Sequence, residues 1–462
     1  MTTSPTTLSK AAGTDRALPG LALAVLLSSF GASGANVALP VLQNAFGTGF
    51  AAVQWILLAY LLAATAASVG AGRLGDAIGR RRVLQGGIAL FAAASSLCAL
   101  APTLPLLVAG RALQGLGAAV MPALAMALAA ARLPQGRTGR AMGLLGSMSA
   151  VGTALGPVLG GLLLAGPGWR AIFVAMLAAA GATLVLVRRV PDDAPARPSA
   201  RAPFDVRVLL FLIGPLLAFA VASTGIGAAW RGWLLGAAAL GAVLFVRSQS
   251  KVASPLVPLA LLRDRVLASG FAMSALTMAL MMTTVLVGPF YLGHGLGLPP
   301  GGVGLALATT PIVAALGGVP AGRLVDRYGA GAAGIAGLAA MAGGCGLLAL
   351  MPLRSGVAGV AGWVAPLVLL AAGYALFQAA NNTAVMHAAG DARRGVVAGL
   401  LNLARNLGLI AGSALLGAVF AAHPRGTAAE VAGATQATFA LATLLPLLGL
   451  GAAFLGGRAR RR

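Results

Sequence analysis

Two arginines stand where apolar sequence ordinarily excludes charge. Arg111 lies within "LPLLVAGRALQGLGAAVMPALA", with Gln114 three residues on and so on the same helical face. Arg405 is flanked by Asn402 and Asn406 in a similar run, and a third run carries Tyr374, Gln378, Asn381 and Asn382 at i, i+4, i+7 and i+8. Asn36, Gln54 and Tyr60 add polar groups near the start of the chain. Such a set can recognise a small molecule by hydrogen bonds around fixed positive charge. Each amide taken singly serves equally well as interhelical glue; as a stripe they are expected to line a cavity. The three histidines, His294, His387 and His423, form no HExxH pattern and no nucleophile–base pair. Cys98 and Cys345 are both mid-run, so neither a disulfide nor a metal site is expected. No catalytic residue, metal or cofactor is anticipated.

A charge at membrane depth costs several kcal/mol unless it faces a polar cavity or a partner, so the elements around the arginines decide their role. The chain has 462 residues, 59% hydrophobic and 9% charged, with a mean hydropathy of +0.93. Crossing a bilayer as a helix takes about 20 apolar residues, and such runs recur fourteen times, from 18–41 to 434–456. The reading is an all-α polytopic membrane protein with fourteen transmembrane helices. The net charge of +23 is distributed as a topology signal, not as a nucleic-acid face. With the first segment inside, all Lys and Arg are cytoplasmic except the outer Arg170, Arg231, Arg354 and Arg425 and the two embedded arginines. Both termini are then cytoplasmic, and the first run, longer than a usual signal-peptide core, is read as an uncleaved span.

The chain also repeats itself. "GRLGDAIGRRR" at 72–82 returns as "GRLVDRYG" at 322–329, and "GLLGSMSAVGTALGPVLGG" from Gly143 aligns with "GLLNLARNLGLIAGSALLG" from Gly399. Runs one to six therefore correspond to runs nine to fourteen. The expected organisation is a tail at 1–17, a six-helix bundle at 18–190, a Pro-rich linker at 191–205, two inserted helices within 206–250, a second linker at 251–265, a six-helix bundle at 266–456 and a basic tail at 457–462. Parallel repeats of six spans are a transporter architecture with the substrate near the midplane.

Within the first repeated motif Gly72 permits close helix approach, Asp76 can accept hydrogen bonds or pair with an arginine, and Arg80 and Arg81 hold the segment at the anionic leaflet. Gly79 closes the motif, and Gly322 and Asp326 are the second-copy equivalents. In the fifth run Gly152, Gly156 and Gly160 share one helical face, beside Pro157 and Gly161. Such a face lets another backbone come close, and the proline bends the helix. Met273, Met278, Met281 and Met282 in the ninth run suit either an adaptable pocket or core filling.

Gly72, Leu74, Asp76, Gly79, Arg80 and Arg81, with "GRALQGLGAA" from Gly110, "GTALGPVLGG" from Gly152, "WRAIF" at 169–173 and "PLVPLALLRDR" at 255–265, resemble the signatures of the major facilitator superfamily, in its branch of fourteen-span drug:proton antiporters. The resemblance implies a monomeric exporter of small amphipathic compounds in the inner cell membrane, with a small-molecule substrate, the lipid bilayer as surroundings and no nucleic acid. It implies that Asp76 and Arg80 latch the cytoplasmic side, and that the glycine face of the fifth run packs against the opposite half. An uptake facilitator, a membrane receptor or scaffold and a membrane enzyme are the rivals weighed against it.

One departure stands out. Antiporters of this kind commonly carry an acid in the first span, a few residues before "NVALP", where this chain has Gly31. None of the nine acids falls mid-run, and among groups that usually relay protons only His387 remains within one. Proton coupling is then expected through His387 and substrate groups, or through the loop aspartates. An electropositive cavity preferring neutral or anionic substrates over dications is the corresponding expectation.

Overall fold

The computed structural model describes residues 5–132, 138–188, 190, 206–225, 228–251, 258–352, 356–389 and 393–459. The linker at 191–205 lies outside the described residues, as do 252–257 of the second linker and 460–462 of the tail. Among the described residues the structure is all-helical. A helix satisfies its own backbone where water cannot, which is what a chain this apolar requires in a membrane.

The elements are α1 (Pro5–Ser33), α2 (Leu39–Ala45), α3 (Phe50–Val53), α4 (Trp55–Ile78), α5 (Arg80–Leu100), α6 (Leu104–Arg132), α7 (Thr138–Ala165), α8 (Trp169–Val187), α9 (Val206–Thr224), α10 (Arg231–Lys251), α11 (Arg265–Phe290), α12 (Pro300–Ala349), α13 (Gly356–Ala389), α14 (Arg394–Ala422) and α15 (Ala428–Ala459). Among the described residues twelve helical segments are long and apolar enough to cross a membrane, and Leu210–Thr224 is a shorter apolar helix. The 50 residues of α12 are broken at Gly329, whose φ of 82° and ψ of 154° leave the helical region.

Gly329 has a counterpart at Gly79, which separates α4 from α5 with φ 102° and ψ 126°. Both have the positive φ that only glycine adopts cheaply. The repeated "GRL" motif is therefore not a loop. It is the end of one helix, a single glycine turn and the start of the next, because nothing before the glycine breaks the helix.

The chain forms two compact units. The first comprises Met1–Ala38 and Trp55–Leu209, the second Leu39–Gln54 and Leu210–Arg462. Inside each, the close packing is made by glycines at matching places. In the first unit, a Cβ on Gly117 of α6 would lie 2.9 Å from the Phe91 nitrogen of α5, and one on Gly87 would lie 3.0 Å from the Gly117 oxygen. In the second unit, Gly337 of α12 and Gly373 of α13 meet in the same way, with Cβ-to-oxygen distances of 2.8 and 2.7 Å.

Candidate functional site

Arg111 is wholly buried on α6 of the first unit. One Nη1 donates to the Gly31 oxygen of α1 at 3.0 Å and to Gln114 Oε1 at 2.8 Å, while Nε donates to the Ile56 oxygen of α4 at 3.2 Å. The guanidinium lies 4.3 Å over the Tyr60 ring, whose hydroxyl donates to the Ser28 oxygen. Gln114, also sealed, donates through Nε2 to Ser95 Oγ at 2.7 Å. Arg111 and Gln114 thus form a junction of α1, α4 and α6, where sequence placed them on a cavity wall. A planar fork of donors over an aromatic face finds carbonyls and a π surface inside the unit through Nε and Nη1, while Nη2 is buried without an acceptor. Asn36, buried, donates to the Ala32 oxygen.

Gly31 explains part of this closure. A Cβ there would fall 2.7 Å from the Phe91 ring, so the position where the resembling antiporters carry an acid is filled by an aromatic edge.

The second unit holds a different arrangement around Arg405 of α14. Its Nη2 donates to Asn382 Oδ1 at 2.6 Å and Gln378 Oε1 at 3.4 Å, both on α13. Gln378 Nε2 donates to the Tyr374 hydroxyl at 2.8 Å, and that hydroxyl lies 3.9 Å from the Met278 sulfur. Arg405, Tyr374, Gln378, Asn382 and Asn406 are all partly exposed, and Asn402 is exposed. Asn381 turns away into the core, donating to the Gly270 oxygen and to Ser274 Oγ of α11. Met281 and Met282 are buried, which makes them core, whereas Met273 and Met278 keep partial exposure.

Gln54, expected on a cavity wall, is buried instead beside an aromatic cluster of the second unit that sequence reading missed. Gln54 donates through Nε2 to the Ser413 oxygen and, at 3.2 Å, to its hydroxyl. Phe50, Phe290 and Phe420 pack together with centroids 5.0 to 5.8 Å apart, and Arg425 lies over Phe50 and Phe420 at 5.4 Å each. Burial holds the Arg425 guanidinium below its ordinary pKa. Scattered phenylalanines in an apolar sequence give no signal for such a cluster.

In the first motif copy Asp76 and Arg80 form an ion pair at 2.9 Å, and Arg81 donates to the Arg188 oxygen at the end of α8, a cationic cap on helix carbonyls. Gly72 faces open space, as does Gly322; close approach is made by Gly75, where a Cβ would fall 2.7 Å from Leu124. Asp326 is exposed, and Ala330 stands where Arg80 does in the first copy. The Asp76–Arg80 side chains are 55% and 34% exposed, so their pair contributes less than about 1 kcal/mol. Asp76→Asn is accordingly expected to leave thermal stability within about 1 kcal/mol of the parent while shifting the inward/outward balance. Cysteine labelling from each side of the membrane reads that shift, and an unchanged pattern excludes a latch.

The glycine face of α7 meets α1 of its own unit, where the resemblance implied the opposite half. A Cβ on Gly152 would collide with the Leu26 oxygen, one on Gly156 with Ser33, and one on Gly160 would sit 2.6 Å from the Gly34 oxygen. Pro157 and Gly161 are buried beside them. In the second unit Gly408 and Gly412 of α14 meet Ala275 and Ala279 of α11 in the same fashion. His387, in the last turn of α13, is exposed. Asp264 and Glu430 are engaged in capping the starts of α11 and α15.

A family model described as the Major Facilitator Superfamily matches residues 21–413 and 267–462. The chain is 31% identical over 395 residues to a multidrug resistance protein, Stp, of Mycobacterium tuberculosis (strain CDC 1551 / Oshkosh), covering 84% of this chain and 72% of that one. It is 29% identical over 415 residues to a tetracenomycin C resistance and export protein of Streptomyces glaucescens, covering 88% and 76%. Among solved structures, the nucleoside transporter NupG shares the fold with a TM-score of 0.71 at 13% identity, covering 95% of this chain and 99% of that one.

Proposed function

We infer the role of this protein from one premise: the chain belongs to the Major Facilitator Superfamily. It is a multi-pass membrane transporter and not an enzyme. Our reading is that it exports small amphipathic compounds, drugs or secondary metabolites among them, by alternating access. The observation that carries this is the identity of about 30% to named resistance and export proteins over more than four-fifths of the chain. We count fourteen crossings by taking α12 as two, one on either side of Gly329, and by pairing the shorter apolar α9 with α10 as the insert. Our reading puts it in the inner membrane as a monomer, and puts both termini on the cytoplasmic side because of the distribution of Lys and Arg.

Export is driven by proton antiport without a cofactor. Asp76 and Asp326 lie within three residues of the glycine turns at Gly79 and Gly329, and with His387 they are the groups we take to couple protons. Cells expressing the protein are expected to accumulate less of a fluorescent lipophilic dye, and proteoliposomes to export it under an imposed pH gradient. Raised accumulation would make the protein an uptake carrier; export indifferent to the gradient would remove the proton. His387→Ala separates the coupling routes, since gradient-driven export is lost only if that imidazole relays.

A further inference from the structure

The two embedded arginines have only neutral partners and differ in access. Arg111 is sealed, its charge spread over two backbone oxygens, Gln114 and the Tyr60 face. Arg405 is partly exposed, and its partners Gln378 and Asn382 are neutral amides that orient the guanidinium without neutralising it. Each arginine keeps one buried nitrogen without an acceptor, Nη2 of Arg111 and Nε of Arg405, so what separates them is the partial exposure of the Arg405 cluster. The nearest thing to a counter-ion in the cluster is a hydroxyl, Tyr374, already accepting from Gln378.

This cluster is also foreign to the repeat. At the offset of 256 that relates Gly156 to Gly412 and Gly117 to Gly373, Arg405 answers to Ser149, Asn382 to Met126, Gln378 to Pro122 and Tyr374 to Ala118. The repeated glycine contacts hold the helices together in both halves. The polar set is therefore an addition of one half, not part of the packing they share.

An uncompensated guanidinium in a low-dielectric region is stabilised most by a carboxylate, whose two oxygens match its fork of donors. Met278, beside the Tyr374 hydroxyl, adds soft apolar surface, which suits the body of an amphipathic molecule. Resting on the exporter reading, we propose that Arg405, held by Gln378 and Asn382, is a subsite for a carboxylate or similar single negative charge on the transported molecule.

The test compares a dansyl amino acid, an amphipathic monoanion, with its neutral methyl ester, by fluorescence titration of the full chain in nanodiscs of phosphatidylcholine. The carboxylate is expected to bind about tenfold more tightly than the ester, the worth of one charge-assisted contact. Arg405→Gln removes the charge, and Asn382→Asp places an internal carboxylate on the same guanidinium; both are expected to bring the affinity ratio close to one. Thermal melting of each variant shows that it is folded, and Asn382→Asp keeps the test informative if Arg405→Gln melts early. Equal affinity in the parent chain, absence of binding by both probes, or a ratio unchanged in both variants would overturn the proposal. Loss of the preference on adding phosphatidylglycerol would assign the position to a lipid headgroup and overturn it equally. Failure of the exporter reading looks different: the carboxylate preference persists while vesicles show inward transport.

Discussion

Arg111→Ala is expected to abolish transport and to lower the stability of the protein by on the order of 3 kcal/mol. The side chain joins α1, α4 and α6 through the Gly31 oxygen, the Ile56 oxygen and Gln114. Alanine leaves the Gln114 oxygen without its donor, removes the contact with the Tyr60 ring and opens a void between three helices. The carbonyls of α1 and α4 sit within helices, which keeps the expected loss at the lower end of what charged hydrogen bonds contribute. Arg111→Lys is expected to fail as well, because an ammonium is a point charge that cannot reach three acceptors in one plane while lying over a ring. The measurement is transport at matched membrane abundance together with a melting curve. Normal transport in either variant contradicts the clamp. Loss of transport with an unchanged melting temperature would return Arg111 to a role in the substrate path.

Gly156→Leu carries the second large effect. Even a methyl group at this position meets Ser33 and comes within 2.9 Å of the Gly34 nitrogen, so α7 must leave α1 before a leucine fits. Overpacking of this kind costs about 1–3 kcal/mol, and here the obstacle includes backbone that cannot rotate away. Gly146 on the same helix is the matched control, exposed and with nothing within 4 Å of a built Cβ. Gly47, in the turn after α2, is unsuited to that purpose because its φ of 59° strains any side chain. Gly156→Leu is expected to lose nearly all transport and Gly146→Leu to retain it. Equal transport by the two variants at equal abundance would show that α1 and α7 separate freely.

Much of the fold was legible because hydropathy and helix length are one-dimensional properties. The repeat was legible through Gly72 to Arg82 and through the glycine face of the fifth run. The contacts of those residues were not. Gly72 and Gly75 are equally plausible in sequence, yet only Gly75 faces a neighbour, because helix phase relative to α6 decides it. The glycine face of α7 could have met any helix; its partner, α1, is fixed by tertiary packing. Arg111 was identifiable as costly, but backbone oxygens carry no sequence signature, so its closure inside the first unit could not be read. The Gln54–Ser413 pair joins residues far apart in the chain that no spacing rule connects.

The two glycine turns, at Gly79 and Gly329, share a backbone conformation but not a charge pattern. The first is followed by Arg80, which reaches back to Asp76; the second is followed by Ala330, and Asp326 has no arginine four residues on. An exposed ion pair weakens as salt rises, while a bare glycine turn does not. The duplicated turns are therefore mechanically alike and ionically unlike: added salt erases the difference between them by relaxing only the first. The half of the protein that contains α4 and α5 is the one whose turn senses the ionic strength around it.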